Sequence, residues 1–268
     1  MNHTFGFIGA GNMGGALARA AAKTLSPSAI TLSDQLTEKA ADLARQIGCG
    51  CADAQTVAKN CGFIFLGVKP QVMGSMLSQI APVLANRKDS FVLVSMAAGI
   101  CIADIRRMAG GDYPVIRIMP NIPVSVGGGV ILYDATENVP QEAVAAFCEN
   151  MKCAGLVDYL PEKLIDAGSA LSGCGPAFVS LFIEALADGA VACGLPRNQA
   201  IAYAAQTLEG TAKMILESGI HPGALKDAVC SPGGSTIVGV NALEQGGFRA
   251  NAMDAVMAAY HKTVELGK

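Results

Sequence analysis

The chain has 268 residues, enough for two domains at roughly 100–200 residues each. Hydrophobic residues make up 51% and charged ones 15%, against about 25% charged in ordinary soluble domains, so the chain can bury enough apolar surface to fold and is not disordered. A net charge of -3 argues against nucleic-acid binding through a general basic field.

The first element is the apolar run Thr4 to Gly9, which ends in glycines and leads into an alanine-rich stretch from Asn12 to Lys23. Strand, tight turn and helix is the natural parse. Met1 to Ala18 is also the longest run without Asp, Glu, Lys or Arg, but it holds five glycines. It therefore reads neither as a membrane span nor, lacking a basic start, as a signal peptide. Further strand-like runs follow at Ala29 to Ser33, Phe63 to Val68, Phe91 to Ser95 and Val115 to Met119, separated by segments of helical spacing such as Leu36 to Ile47. Strands alternating with helices predict a parallel, doubly wound α/β sheet. Gly129 to Tyr133 and Leu156 to Tyr159 flank a helix at Gln141 to Met151 and complete the sheet.

After Pro161 the periodicity changes. Phe178, Leu181, Phe182, Ala185, Leu186 and Gly189 recur at helical spacing, as do Ile201, Ala204, Ala205, Leu208, Ala212 and Ile215, and later Ala252, Met253, Val256, Met257, Tyr260 and Val264. These are amphipathic helices. The expected division is residues 1–160 as a dinucleotide-sized α/β domain and 161–268 as an all-helical one, with no flexible linker between them.

The first turn reads Gly9-Ala10-Gly11-Asn12-Met13-Gly14. A GxGxxG that follows a strand and opens a helix is the fingerprint of a Rossmann-type dinucleotide site. Its glycines allow a tight turn and close approach of a pyrophosphate to the free N–H groups of the helix. Asp34 stands where an acid accepts hydrogen bonds from the ribose hydroxyls and favours NADH; Ser33 beside it is the candidate partner of an NADPH 2′-phosphate if Asp34 points away. The loops after the next strands should also approach the cofactor: Val68-Lys69-Pro70, Ala97-Ala98-Gly99 and Met119-Pro120-Asn121. Lys69 is either a catalytic cation or a phosphate or loop partner.

Two glycine-rich loops interrupt the helical half, Ser172-Gly173-Cys174-Gly175-Pro176 and Ser231-Pro232-Gly233-Gly234-Ser235-Thr236. Each is expected to be a helix N-terminus, able to hold a carboxylate through backbone N–H groups or merely capped by its own Ser or Thr. The three histidines and nine cysteines show no metal-ligand spacing. An odd cysteine count without a CxxC pair predicts reduced thiols in a cytoplasmic setting. Cys174 and Cys230 read as small packing residues.

Five segments together resemble one family: FIGAGNMGGA (Phe7 to Ala16), VKPQ (Val68 to Gln71), RIMPNIP (Arg117 to Pro123), LSGCGPAF (Leu171 to Phe178) and HPGALKDAVCSPGGSTI (His221 to Ile237). They are similar to the segments of pyrroline-5-carboxylate reductase, and the last is nearly diagnostic. The resemblance implies an NADPH- or NADH-binding α/β domain followed by a helical dimerisation domain, with reduction of a cyclic imine, 1-pyrroline-5-carboxylate, to L-proline. It places the substrate carboxylate on the segment containing Ser231, Gly233, Gly234, Ser235 and Thr236, and matches Thr236 to the hydroxyl that bonds the ring nitrogen. Cys174 and Cys230 depart from a frequent Ser, and Ile122 from a frequent Thr. The resemblance to a β-hydroxyacid dehydrogenase is poorer, because no Lys occurs between Ser172 and Ala212. From Pro161 onward the chain carries only 7 basic and 10 acidic residues, too few for helices each solvated on one face. The expectation is a homodimer, or an oligomer of dimers, with neither nucleic acid nor membrane as partner.

Overall fold

The computed structural model describes residues 4–266. Eight strands form one sheet: β1 (Phe5–Ile8), β2 (Ile30–Ser33), β3 (Gly50–Cys51), β4 (Phe63–Leu66), β5 (Val92–Ser95), β6 (Val115–Pro120), β7 (Gly129–Ala135) and β8 (Gly155–Tyr159). Their order is β3-β2-β1-β4-β5-β6-β7-β8, so the direction of winding reverses between β1 and β4. Helices α1 (Asn12–Ala21), α2 (Thr37–Ile47), α3 (Ala54–Asn60), α4 (Pro70–Asn86), α5 (Ile102–Ala109) and α6 (Gln141–Met151) connect them. Every strand pair is parallel except β6 with β7. Only a short 3-10 turn, Ile122–Val126, joins those two, and a parallel return needs a crossover of a dozen or more residues.

Helices cover both faces of the sheet, which is why the strands are apolar without alternation. Phe5, Phe7, Phe63 and Phe65 point to one face with Leu17, Leu43 and Phe147. Phe7 and Phe65 stack with ring centres 4.3 Å apart. Ile8, Ile64, Leu66 and Leu93 point to the other, against Met73, Leu77, Ile80 and Ile105.

The sequence reading passed over β3 and α3. The strand is two residues long and exposed, and α3 is polar except for buried Val57 and Ala58. Its start depends on one local bond, from the Thr56 N–H to Asp53 Oδ1 at 2.7 Å.

Six helices follow: α7 (Glu162–Ser172), α8 (Gly175–Ala192), α9 (Arg197–Ser218), α10 (Pro222–Val229), α11 (Ser235–Gln245) and α12 (Phe248–Leu266). The chain divides into two compact units. One runs through Cys174 and includes the chain again from Ala259, and the other is Gly175–Ala258. Counting α7 with the sheet moves the division past the residue-160 boundary expected from composition. The reason is packing: Ile165 of α7 is buried with Met119 of β6 and Leu132 of β7.

In the second unit α8 packs against α9, yet only three small residues, Ala187, Ala200 and Ala204, are buried among those described. Large residues of the apolar stripes seen in the sequence instead face outward in the single chain. Leu181 is 67% exposed, Ile201 45% and Met253 64%.

Candidate active site

The glycine turn lies at the carboxyl end of β1, where the winding of the sheet reverses. Ligands of open α/β sheets bind at that point. Gly9 has φ +107°, and a Cβ there would fall 2.4 Å from the Gly67 carbonyl oxygen; a Cβ on Gly14 would fall 2.1 Å from the Gly9 oxygen. Both glycines are therefore required by the fold itself. Gly11 differs, because a Cβ added there meets no protein atom within 4 Å. It precedes α1 as an N-cap without a side-chain bond and lines a cleft of about 860 Å³ together with Asn12, Met13, Lys39, Ile122 and Ser125. The open space over Gly11 and the uncapped N–H groups of α1 suit a pyrophosphate, so the residues present fit a dinucleotide.

Asp34 binds the turn directly. Its Oδ2 accepts the Ala10 N–H at 2.8 Å and its Oδ1 the Leu36 N–H at 3.0 Å. The carboxylate thus locks the glycine turn to the end of β2, a role the sequence reading did not give it. Ser33 is 4% exposed, so the 2′-phosphate role considered for its hydroxyl meets a side chain turned into the protein. The α2 residues Glu38, Lys39, Asp42 and Gln46 on the cleft wall were not among the expected cofactor residues. Their spacing along one polar helix face is the signal that would have found them.

The other loops differ in how they present themselves. Val68 follows Gly67, which abuts Gly9, and exposed Lys69 occupies the N-cap of α4 with Pro70 as its first residue. Ala97 is buried, whereas Ala98 is exposed and Gly99 turns at φ +73°. The Asn121 side chain is engaged within the protein. It is 7% exposed, its Nδ2 donates to the Ser172 carbonyl at 2.9 Å, and its Oδ1 accepts the Val130 N–H at 2.8 Å. Asn121 ties β6 to β7 and to the end of α7.

The two glycine loops of the helical half prove unlike each other. At Ser172 to Gly175 the backbone stays helical, with the Gly173 N–H on the Ser169 carbonyl at 2.7 Å and the Cys174 N–H on the same oxygen at 3.2 Å. These two N–H groups close the end of α7, and α8 begins directly after them at Gly175. At Ser231 to Thr236 a helix N-terminus forms. Gly233 turns at φ +69°, and Gly234 is the N-cap of α11 with no side-chain bond to the helix. The N-cap is thus neither Ser nor Thr, and the first-turn N–H groups, beside the exposed Ser235 and Thr236, lack an intrahelical partner. No group of three His, Cys, Asp or Glu side chains suited to a metal ion occurs among the described residues.

Residues 162–266 match the family model described as pyrroline-5-carboxylate reductase dimerisation, and residues 4–99 the one described as NADP oxidoreductase, coenzyme F420-dependent. A pyrroline-5-carboxylate reductase of Escherichia coli K12 is 42% identical over 271 residues, covering 100% of both chains. The chain belongs to the pyrroline-5-carboxylate reductase family. Solved structures of the family agree in fold. That of the Coxiella burnetii enzyme superposes with a TM-score of 0.92 at 30% identity, covering 100% of each chain. A Plasmodium falciparum pyrroline carboxylate reductase with NADP bound gives 0.87 at 32%, covering 100% of this chain and 99% of that one.

Proposed function

We propose that the family reaction, NAD(P)H-dependent reduction of 1-pyrroline-5-carboxylate to L-proline, runs in this chain on two built features: the glycine turn at Gly9 to Gly14 and the open helix N-terminus at Gly234. The observation that carries this reading is the uncapped first turn of α11 within the segment most specific to the family.

The substrate is a small anion with a cyclic imine. Its carboxylate is held by the N–H groups at the start of α11, where the helix dipole contributes about 0.3–1 kcal/mol and up to about 2 in favourable geometry. Ser231 keeps the loop in shape, since its hydroxyl lies where a Gly234 side chain would be, 2.3 Å from that Cβ position. With the carboxylate fixed, the Thr236 hydroxyl orients the ring nitrogen and relays its proton. On the dinucleotide side, Gly11, Asn12 and Met13 face the pyrophosphate, Gly9 and Gly14 shape the turn, and Asp34 holds it rigid. Asp34 retains lone pairs beyond its two backbone bonds, so it keeps acceptor capacity for ribose hydroxyls. Val68, Lys69 and Pro70, with Ala97 and Ala98, form the loops toward the nicotinamide.

The chemistry supplied by a bound NAD(P)H is a hydride for the imine carbon. An iminium accepts it without a strong base, so positioning and charge complementarity suffice, in keeping with a site of hydroxyls and amides. The outward apolar faces of α8 to α12 support a homodimer as the working form, with dimers free to assemble further. Nine free thiols support a reducing, cytoplasmic setting.

The test is oxidation of L-proline with NAD(P)+ at high pH, run beside a 3-hydroxy acid. Turnover of proline alone is expected. Turnover of the hydroxy acid alone would reassign the chain to the β-hydroxyacid dehydrogenase reading.

A further inference from the structure

β6 reads Val-Ile-Arg-Ile-Met-Pro and is buried throughout. An arginine in its middle, 4% exposed, must be paired, since an unpaired charge there is heavily penalised. Arg117 Nη1 lies 3.0 Å from Glu162 Oε1, and Nη2 lies 3.2 Å from Asp166 Oδ1. The two acids are four apart on α7 and so share one helix face. The pairing is incomplete: Arg117 Nε has no partner, nor does the buried Ser95 Oγ, which stands beside Arg117 in register on β5. A cluster built only for stability would be better replaced by apolar side chains.

The cluster also reaches a loop. Glu162 Oε1 accepts the N–H of Ile102 at 2.8 Å, across 60 residues of sequence. Ile102 is the first residue of α5, and the side chain of the preceding N-cap, Cys101, caps no backbone N–H; its Sγ donates to Asp104 Oδ2 at 3.0 Å instead. The Glu162 N–H in turn donates to Asp134 Oδ2 at 2.6 Å, on β7 opposite Arg117. The segment from Met96 to Cys101 is therefore held at its far end by the charged cluster, while its start is fixed by the sheet. Its start follows Ser95, which pairs in register with Arg117, and its end is held through Ile102 on Glu162.

We propose that Glu162 is a positioning residue for the reduction, which, braced by Arg117, fixes the Met96–Cys101 loop at the geometry the nicotinamide requires. The proposal rests on the assignment of Ala97 and Ala98 to the cofactor site. Glu162→Ala removes the acceptor of the Ile102 N–H and lets the loop drift. A displacement of about 1 Å at a reacting group costs on the order of 100-fold in rate, so kcat is expected to fall about 10- to 100-fold. The KM for pyrroline-5-carboxylate should stay near its original value, because that site is built on α11. The deuterium isotope effect with 4-deuterated NAD(P)H should rise as hydride transfer becomes limiting, which a merely structural residue would not cause. Glu162→Gln keeps a carbonyl oxygen for Ile102 and should restore most of the turnover. If Glu162→Ala does not fold, Glu162→Asp retains the charge but shortens the reach, and carries the same expectation of lower kcat and a larger isotope effect.

Folded Glu162→Ala or Glu162→Asp with unchanged kcat and isotope effect would overturn the proposal, as would equal impairment of Glu162→Gln and Glu162→Ala. The underlying loop assignment is tested separately by Ala98→Leu, at an exposed position. An unchanged KM for NAD(P)H in that variant refutes the contact between loop and cofactor, whatever the Glu162 variants do.

Discussion

Gly11→Ala separates the needs of the fold from those of the ligand. A Cβ at Gly11 meets nothing within 4 Å, whereas one at Gly14 lies 2.1 Å from the Gly9 carbonyl oxygen. Folding should therefore tolerate alanine at Gly11 and resist it at Gly14. Gly11 is an N-cap with φ -68° and ψ -169°, which alanine adopts without strain. The weaker capping preference of alanine costs about 1 kcal/mol or less, a Tm decrease of roughly 2–4 °C in a chain of this size. The added methyl instead occupies the space through which a pyrophosphate oxygen approaches the N–H groups of α1. Losing one hydrogen bond to a charged group costs about 1.5–3 kcal/mol, which at 1.4 kcal/mol per factor of ten weakens binding about 10- to 100-fold. Fluorescence titration of NADH and NADPH gives the Kd, and thermal melting gives the fold control. A folded Gly11→Ala protein with the original Kd for both nucleotides would show that the cleft over Gly11 is not the phosphate site.

Three further outcomes are expected. Thr236→Ala should lower kcat about 10- to 100-fold, less than the full range of about 10²–10⁴ for a dedicated acid, and leave the Kd for NAD(P)H unchanged; full turnover would remove Thr236 from the chemistry. The backbone bond from Thr56 holds the Asp53 carboxyl below its usual value of 3.8. Because the folded-state pKa is the lower one, the stability it contributes is present above 3.8 and lost as pH falls through the folded value. The difference in urea midpoint between the original protein and Asp53→Ala should therefore be largest near neutrality and close in acid, and a pH-independent difference would contradict the capping account. Light scattering at micromolar concentration should give twice the 27.4 kDa chain mass or a multiple of that dimer. A single-chain mass would leave the apolar faces of α8 to α12 without an explanation.

Local patterns carried much of the result. The glycine turn, the alternating strands and the helical periodicity after Pro161 were readable because each depends on residues close in sequence. The SPGGST segment was readable for the same reason, since a helix N-terminus is made by its own backbone. Longer-range partners were not. Asp34 looks like a free ribose acceptor until the Ala10 N–H is found on its Oδ2. Asn121 reads as a loop residue near the cofactor, and nothing local shows that its amide also bonds Ser172 and the Val130 N–H. SGCGP reads as a glycine-rich helix start; that its Gly173 and Cys174 N–H groups also close the preceding helix on the Ser169 carbonyl was not readable. Composition placed the domain boundary near residue 160, where strands cease, but could not show that Ile165 is buried against the sheet.

The sequence by itself determined the fold class, the family and the two glycine loops, Gly9 to Gly14 and Ser231 to Thr236, proposed to bind by backbone amides, because all of these lie in short-range spacing. Only the tertiary structure decided which polar side chains remain free for a ligand. Hydrogen-bond capacity is spent on whichever partner folding brings near, and for Asp34, Asn121 and Glu162 those partners lie 24, 51 and 60 residues away.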